Sequence, residues 1–455
     1  MSLQQNLQAP LVLAVVLSLL ACKDRPQPPV VNAAHAGATT ETAMSTYGKD
    51  PNLPPPDEDL IPTVNAAEAI GWPENAAPKA HAGNQVQRFA ADLKHPRWLY
   101  VLPNGDVLVA ESNAPAKPEQ DKGIKEWVMG LVKEDAGAAV PSADRITLLR
   151  DADGDGRAEQ RHVFLDNLHS PFGMTLIGDS LYIANTDAVV KVPYKQGQTS
   201  ISAKPSRLVD LPAGPINYHW TKGLTASPDG SKLYVAVGSN SNIAENGMDK
   251  EKGRAAIWEV DINTGEHRIY ASGLRNPVGM TWVGDTLWTA VNERDELGDH
   301  LVPDYMTSVQ EEGFYGWPYS YFGQHVDERV EPQKPQKVQQ AIKPDYALGA
   351  HTASLGLTYT ENQDRVAGMG KGMFVGQHGS WNREPRSGYK VIFVPFAGQE
   401  PAGQPRDLLT GFLNEDGQAR GRPVGVVLDK QGDLLVADDV GNTIWHVSEA
   451  GRTDS

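Results

Sequence analysis

A single cysteine, Cys22, stands in a chain of 455 residues, so no disulfide can close within it. Neither a cysteine-built zinc site nor a haem-attachment motif is available either. Positive charge is also short. Against 57 Asp and Glu there are 41 Lys and Arg, giving a formal net charge of -16. That excludes nucleic acid as a partner, because neutralising a phosphate backbone takes a clustered basic surface. The chain is rich in turn formers, with 44 Gly and 33 Pro, and its 40% hydrophobic content supplies a packed core. Together these point to a turn-rich all-β protein. Such a domain can run well past the usual domain size as one unit.

The first segment of interest is the apolar stretch from Leu11 to Ala21. It is too short to span a bilayer and long enough for the core of an export signal. Its ending, Leu19-Leu20-Ala21-Cys22, is similar to a bacterial lipobox, in which the cysteine is acylated and tethers the mature protein to the membrane. Residues 1–22 are therefore expected to form a lipoprotein signal segment, with the protein exported and anchored facing the periplasm, or secreted if Cys22 is not lipidated. Residues 1–21 carry no Lys or Arg, a departure from the positive start of most such signals. Residues 23–84 are rich in Pro, Ala and acidic side chains, as in Pro54-Pro55-Pro56-Asp57-Glu58-Asp59, and are expected to be a disordered linker.

From 85 to 450 one pattern recurs: a turn, then a short strand of Val, Leu, Tyr or Trp. It appears at Pro103–Ala110, Ile177–Ala184, Pro228–Val235, Val283–Trp288, Gly370–Val375 and Lys430–Val436. Six copies predict a six-bladed β-propeller, each apolar run being the buried inner strand of a blade. The spacing is uneven, so the longer gaps are expected to build loops over one face. Two irregular stretches, 114–139 and 332–346, are the expected seats of substrate specificity.

Loops at one end of a propeller converge on its axis, so polar residues flanking the strands are the candidates for chemistry. Four segments place a His or Arg at a comparable point of their repeats: Asn217–Leu224, Ser272–Met280, Gln377–Arg383 and Arg420–Val426. Two imidazoles and several guanidinium groups aimed at one axis would cradle a polycarboxylate or an anionic transition state.

These segments, with the run His95–Asp106 and Gly313-Phe314-Tyr315-Gly316-Trp317-Pro318, resemble the glucose/sorbosone dehydrogenase family, which oxidises sugars or aldehydes with pyrroloquinoline quinone and calcium. The likeness runs from about Arg88 to Val447. It implies a quinoprotein sugar or sorbosone dehydrogenase with a respiratory electron acceptor as partner. It further implies His219 as general base, Asp299 as the carboxylate orienting that base, and Arg275 as stabiliser of charge developing on the quinone. Arg275, Asn276, His378, Arg383 and Arg422 would contact the cofactor. Calcium would sit in the loop Asn292-Glu293-Arg294-Asp295, with Arg294 and Asp295 as candidates, although an Arg is unexpected there.

Asp151-Ala152-Asp153-Gly154-Asp155-Gly156 separately matches the first half of a calcium loop, with oxygen at places one, three and five and Gly at six. Position twelve is His162, so the usual closing Glu is missing, and Glu159 is the substitute. Two rival functions stay open: a non-catalytic propeller binding a protein or glycan, and a calcium-dependent lactonase. Convergent carboxylates without Arg would favour the lactonase, and the Arg set favours the quinone.

Overall fold

The computed structural model describes residues 46–57, 63–116, 136–137, 139–361 and 365–452. Cys22, the expected signal segment and most of the 114–139 stretch lie outside the described residues. No helix among the described residues is long and apolar enough to cross a membrane.

Six antiparallel sheets form the body. Blade 1 runs Pro96–Val101, Val107–Glu111, Arg145–Arg150 and Gln160–Leu165. Blade 2 begins at Met174–Ile177, blade 3 at Lys222–Ala226, blade 4 at Pro277–Val283, blade 5 at Ser354–Thr360 and blade 6 at Pro423–Leu428. These six first strands pack on one another around the axis and close the ring from blade 6 back to blade 1. The outer strand of blade 6 is Asn84–Ala90, paired with Thr443–Glu449, so the beginning of the domain fastens its end.

The six expected blades are present, but the recurring apolar runs are the second strands, not the innermost ones. A second strand is covered on both faces by neighbouring blades, which is why Val107–Glu111 and Gly372–Gln377 are buried at every position. Each fully buried Val or Leu there contributes about 1.5–3 kcal/mol. The innermost strands follow a different rule, because they converge and need small residues. A Cβ added at Gly223 would lie 2.1 Å from the carbonyl oxygen of Val278, and one at Gly356 2.1 Å from that of Val424. Gly173, Gly279 and Gly425 hold the corresponding places in three more blades.

Part of the expected disordered linker is ordered on the propeller. Tyr47–Gly48 adds a fifth strand to blade 4 against Ala347–Leu348, and Lys79–Ala80 pairs with Leu409–Thr410 on blade 5. Between them Ala67 is fully buried, and Trp72 packs edge-on against Phe412 and Trp445 while its Nε1 donates to Asp438 Oδ2 at 2.7 Å. A few apolar anchors in a Pro/Ala background suffice, because sheet edges offer unpaired backbone to any strand that arrives.

Candidate active site

Each first strand starts, and each second strand ends, at the same mouth of the ring, so the loops joining them bring their polar residues together there. Two neighbouring groups result.

The first centres on His219, just before the innermost strand of blade 3. Its Nδ1 lies 3.0 Å from the carbonyl oxygen of Ser239 and 2.9 Å from Ser239 Oγ. The Ser239 hydroxyl gives its only hydrogen to the carbonyl of Ser241, at 2.6 Å. Nδ1 therefore faces two acceptors and carries the proton, leaving the Nε2 lone pair free. Burial, and then the positive charge of Arg275, push this imidazole down to about 3 from its ordinary 6.5, so it is neutral. Beside it lies Asn276, whose buried Oδ1 has no partner. The same Oδ1 and His219 both crowd Gly238, where an added Cβ would meet them at 2.4 and 2.5 Å.

Arg275 is held rigidly. Its guanidinium donates to the carbonyls of Glu293 at 2.6 Å and Asn292 at 3.3 Å, and to Asn242 Oδ1 at 2.9 Å, and it pairs with Asp295 Oδ2 at 3.4 Å. Asn242 is fixed in turn by Trp317, whose Nε1 donates to its carbonyl at 2.9 Å. Asp295 also meets His351 Nδ1 at 3.3 Å, while His351 Nε2 contacts the Gly298 carbonyl at 2.9 Å. Burial works against the charged forms of both, but the pairing prevails, lowering Asp295 and raising His351.

The second group surrounds Asp439. His378 Nε2 lies 3.1 and 2.9 Å from its two oxygens, His95 Nε2 lies 3.5 Å away, and Arg97 pairs with it directly. Burial would raise this carboxyl, yet the surrounding His378, His95 and Arg97 hold it well below the usual range. Arg422 stands next to them with its guanidinium 5.0 Å from the centre of the Tyr389 ring. Arg97 bridges the two groups, lying over Trp220, the neighbour of His219, at 5.8 Å.

Of the expected site residues, His219, Arg275 and Asn276 come together, and His378 joins Arg422. Asp299 does not hold His219; its charge acts on His300 and Arg383, and the orienting acceptor is Ser239. Arg383 ties its own loop to the end of the strand Tyr346–Ala350, donating to the carbonyls of Pro385 at 3.1 Å and Ala350 at 2.9 Å. The expected metal loop is likewise committed elsewhere. The buried Arg294 guanidinium sits 3.1 Å from Asp327, Asp295 serves His351 and Arg275, and the carbonyls of 292 and 293 accept from Arg275. The Arg275 guanidinium occupies the neighbourhood of those oxygens, so they do not fit a calcium ion.

The Asp151 loop does converge: Asp151, Asp153, Asp155 and Glu159 each offer an oxygen within 4.8 Å of the others. It joins the third and fourth strands of blade 1, which places it at the rim opposite the mouth.

Sequence reasoning passed over His95, Arg97, Ser239, His351 and Asp439. His95 and His351, like Arg275 and Arg422, lie within three residues of the start of an innermost strand, so comparing the repeats at their first strands would have exposed them.

The six-bladed ring is a fold shared with solved structures. The PQQ domain of pyranose dehydrogenase from Coprinopsis cinerea superposes with a TM-score of 0.67 at 20% identity, covering 85% of this chain and all of that one. The chain belongs to the family described as a domain of unknown function (DUF7133), whose model matches residues 79–379. A TrAA12-like model matches residues 322–450. In sequence, the chain is 28% identical over 292 residues to an uncharacterized protein of Borreliella burgdorferi, covering 62% of this chain and 76% of that one. It is 27% identical over 299 residues to the pyrroloquinoline quinone-dependent pyranose dehydrogenase of Coprinopsis cinerea, covering 50% of this chain and 39% of that protein.

Proposed function

We propose that the protein is a quinoprotein dehydrogenase oxidising an aldose or a related sugar aldehyde such as sorbosone with pyrroloquinoline quinone. The observation that carries this reading is His219: a half-buried neutral imidazole with its Nδ1 proton committed and its Nε2 free, beside the fixed charge of Arg275 and the unpartnered Oδ1 of Asn276. The relatives named above support it.

The residues present fit the cofactor. Besides Asn276 Oδ1, the Nε atoms of Arg97 and Arg422 are buried without partners, so the mouth holds both donors and acceptor oxygen awaiting a polar ligand. A tricarboxylate would be held by Arg97, Arg422 and His378 on one side and by Arg275 and Asn276 on the other. Once bound, the quinone supplies a two-electron acceptor for the hydrogen on the sugar carbon.

His219 Nε2 takes the proton of the hydroxyl being oxidised, and Arg275 presents a positive charge that needs no reorganisation. A carboxylate ligand beside Arg275 also offsets the charge that depresses His219, which raises its basicity when the site is filled. Export through a lipidated Cys22, delivery of electrons to a respiratory acceptor and a structural calcium ion in the Asp151 loop belong to the same proposal. The test is dye reduction by purified protein with added quinone over a panel of aldoses and sorbosone. Quinone-dependent reduction lost in His219→Gln supports the reading. Absence of quinone binding overturns it in favour of a binding propeller.

A further inference from the structure

Behind His219 lies a hydrogen-bonded chain that the proposed reaction does not itself touch. The orienting segment 239–241 follows the second strand of blade 3, where a loop end would ordinarily be free to shift. Here it is clamped from below by Glu251, a residue of the short 3-10 turn Met248–Glu251. One oxygen of the Glu251 carboxylate accepts from Ser241 Oγ at 2.6 Å, and the other accepts from the backbone N–H of Asn240 at 2.7 Å. Ser241 in turn receives the Ser239 hydroxyl on its carbonyl at 2.6 Å. Glu251 is 5% exposed, and Ser239 and Ser241 are fully buried, so water does not compete for these bonds.

Each link fixes the direction of the next. Both Glu251 oxygens act as acceptors, so the Ser241 hydroxyl points at the carboxylate, and the Ser241 carbonyl stays turned toward Ser239. The Ser239 hydroxyl is thereby spent as a donor, and its oxygen can only accept from His219. Were Ser239 free to rotate its hydroxyl toward the ring, Nδ1 would face a donor as well as the Ser239 carbonyl, and the proton would be shared with Nε2, the atom that must be bare.

We propose that Glu251 is a positioning residue that fixes the tautomer of His219 through Ser241 and Ser239, without touching substrate or cofactor. The kinetic part of this inference rests on the dehydrogenase reading, and the tautomer itself does not. The test uses the full chain labelled with 15N in its histidine rings. Long-range 1H–15N correlation spectra report which ring nitrogen carries hydrogen, and His219→Gln assigns the signal.

The wild type is expected to show His219 with hydrogen on Nδ1 alone. Glu251→Gln keeps the side-chain volume but turns an amide N–H toward one of two donors, so it should mix the tautomers. It should also lower kcat about 10- to 100-fold, with KM changed less than about threefold, because general-base catalysis depends on a bare Nε2. Glu251→Asp, which restores the acceptor pair, should recover part of the rate. Ser239→Ala is the second variant. It removes one acceptor and leaves the carbonyl, so it should keep the Nδ1 proton and lose less rate than Glu251→Gln. Hydrogen on Nε2 in the wild type overturns the inference, as does a Glu251→Gln spectrum identical to the wild type. If the tautomers mix in Glu251→Gln while no variant, nor the wild type, oxidises any sugar, the positioning role stands and the dehydrogenase reading falls.

Discussion

The sharpest consequence for stability concerns Asp439, the carboxylate at the centre of the second group. Its side chain is 1% exposed and is shared by Arg97, His378 and His95. Asp439→Asn keeps the shape and one acceptor oxygen, but it removes the carboxylate paired with the Arg97 guanidinium and turns an N–H₂ group toward other donors. Removing one member of a buried ion pair costs about 3–5 kcal/mol, because the remaining charge stays buried without compensation. Urea unfolding at pH 7 should therefore show a loss in that range.

A double-mutant cycle with Arg97→Met separates the ion pair from simple loss of packing, since Arg97→Met should recover a large part of the penalty. The pH dependence follows from the depressed carboxyl. Its contribution is fully present above about pH 3.9, the unfolded value. It disappears only as pH falls through the still lower folded value, so the gap between wild type and Asp439→Asn should stay constant from pH 8 to 5 and close in strong acid. A loss below about 1 kcal/mol at pH 7, or a cycle with no coupling, refutes this reasoning.

Other expectations are simpler to check. Gly223→Ala would set a methyl 2.1 Å from the Val278 carbonyl and should cost more than about 3 kcal/mol, whereas Gly178→Ala, with nothing within 4 Å, should cost only about 1 kcal/mol of backbone strain. Trp72→Ala should lower stability by about 2–4 kcal/mol by unstacking Phe412 and Trp445 and leaving Asp438 short of a donor, as thermal melts of the two proteins would show. Burial pushes His446 down, but the carboxylates of Asp429 and Asp433 outweigh it and hold it at about 9, so its stabilisation is full below its ordinary 6.5 and fades as pH rises through 9. Stability of the wild type relative to His446→Gln should shrink over that interval. Calcium added to chelator-treated protein should raise Tm, and Asp153→Asn should abolish the rise; a rise that survives the substitution places the ion elsewhere.

The blade count was legible because second strands, buried on both faces, must be written in continuous apolar residues. The innermost strands were harder to see. They need Gly where backbones converge and polar residues where the mouth opens, so Phe172-Gly173-Met174 or Leu355-Gly356-Leu357 carries no strong strand signature. The same offset hid half of the site. His219, Arg275 and Asn276 were found through a family likeness, while Ser239, unremarkable by type, meets His219 with its hydroxyl oxygen and with a backbone carbonyl, which every residue possesses. Asp299 failed as the orienting group because a carboxylate at the right rank in sequence need not reach across a loop that folds toward Arg383. Where the structure describes it, from Thr46 on, the tether was misjudged for a compositional reason. Averaged over 23–84 the segment is too poor in apolar residues to fold alone, yet Tyr47, Ala67 and Trp72 need only dock on blades that already exist.

The central claim is that the mouth binds pyrroloquinoline quinone and that His219 then acts as the base. It is tested most directly by titrating the quinone into wild-type and His219→Gln protein and following turnover of both at saturation with an aldose. Equal binding, with turnover lower by about 10²- to 10⁴-fold in the variant, is the expected result. Quinone binding with undiminished turnover in His219→Gln would contradict the assignment of the base, and no binding to either protein would contradict the assignment of the site.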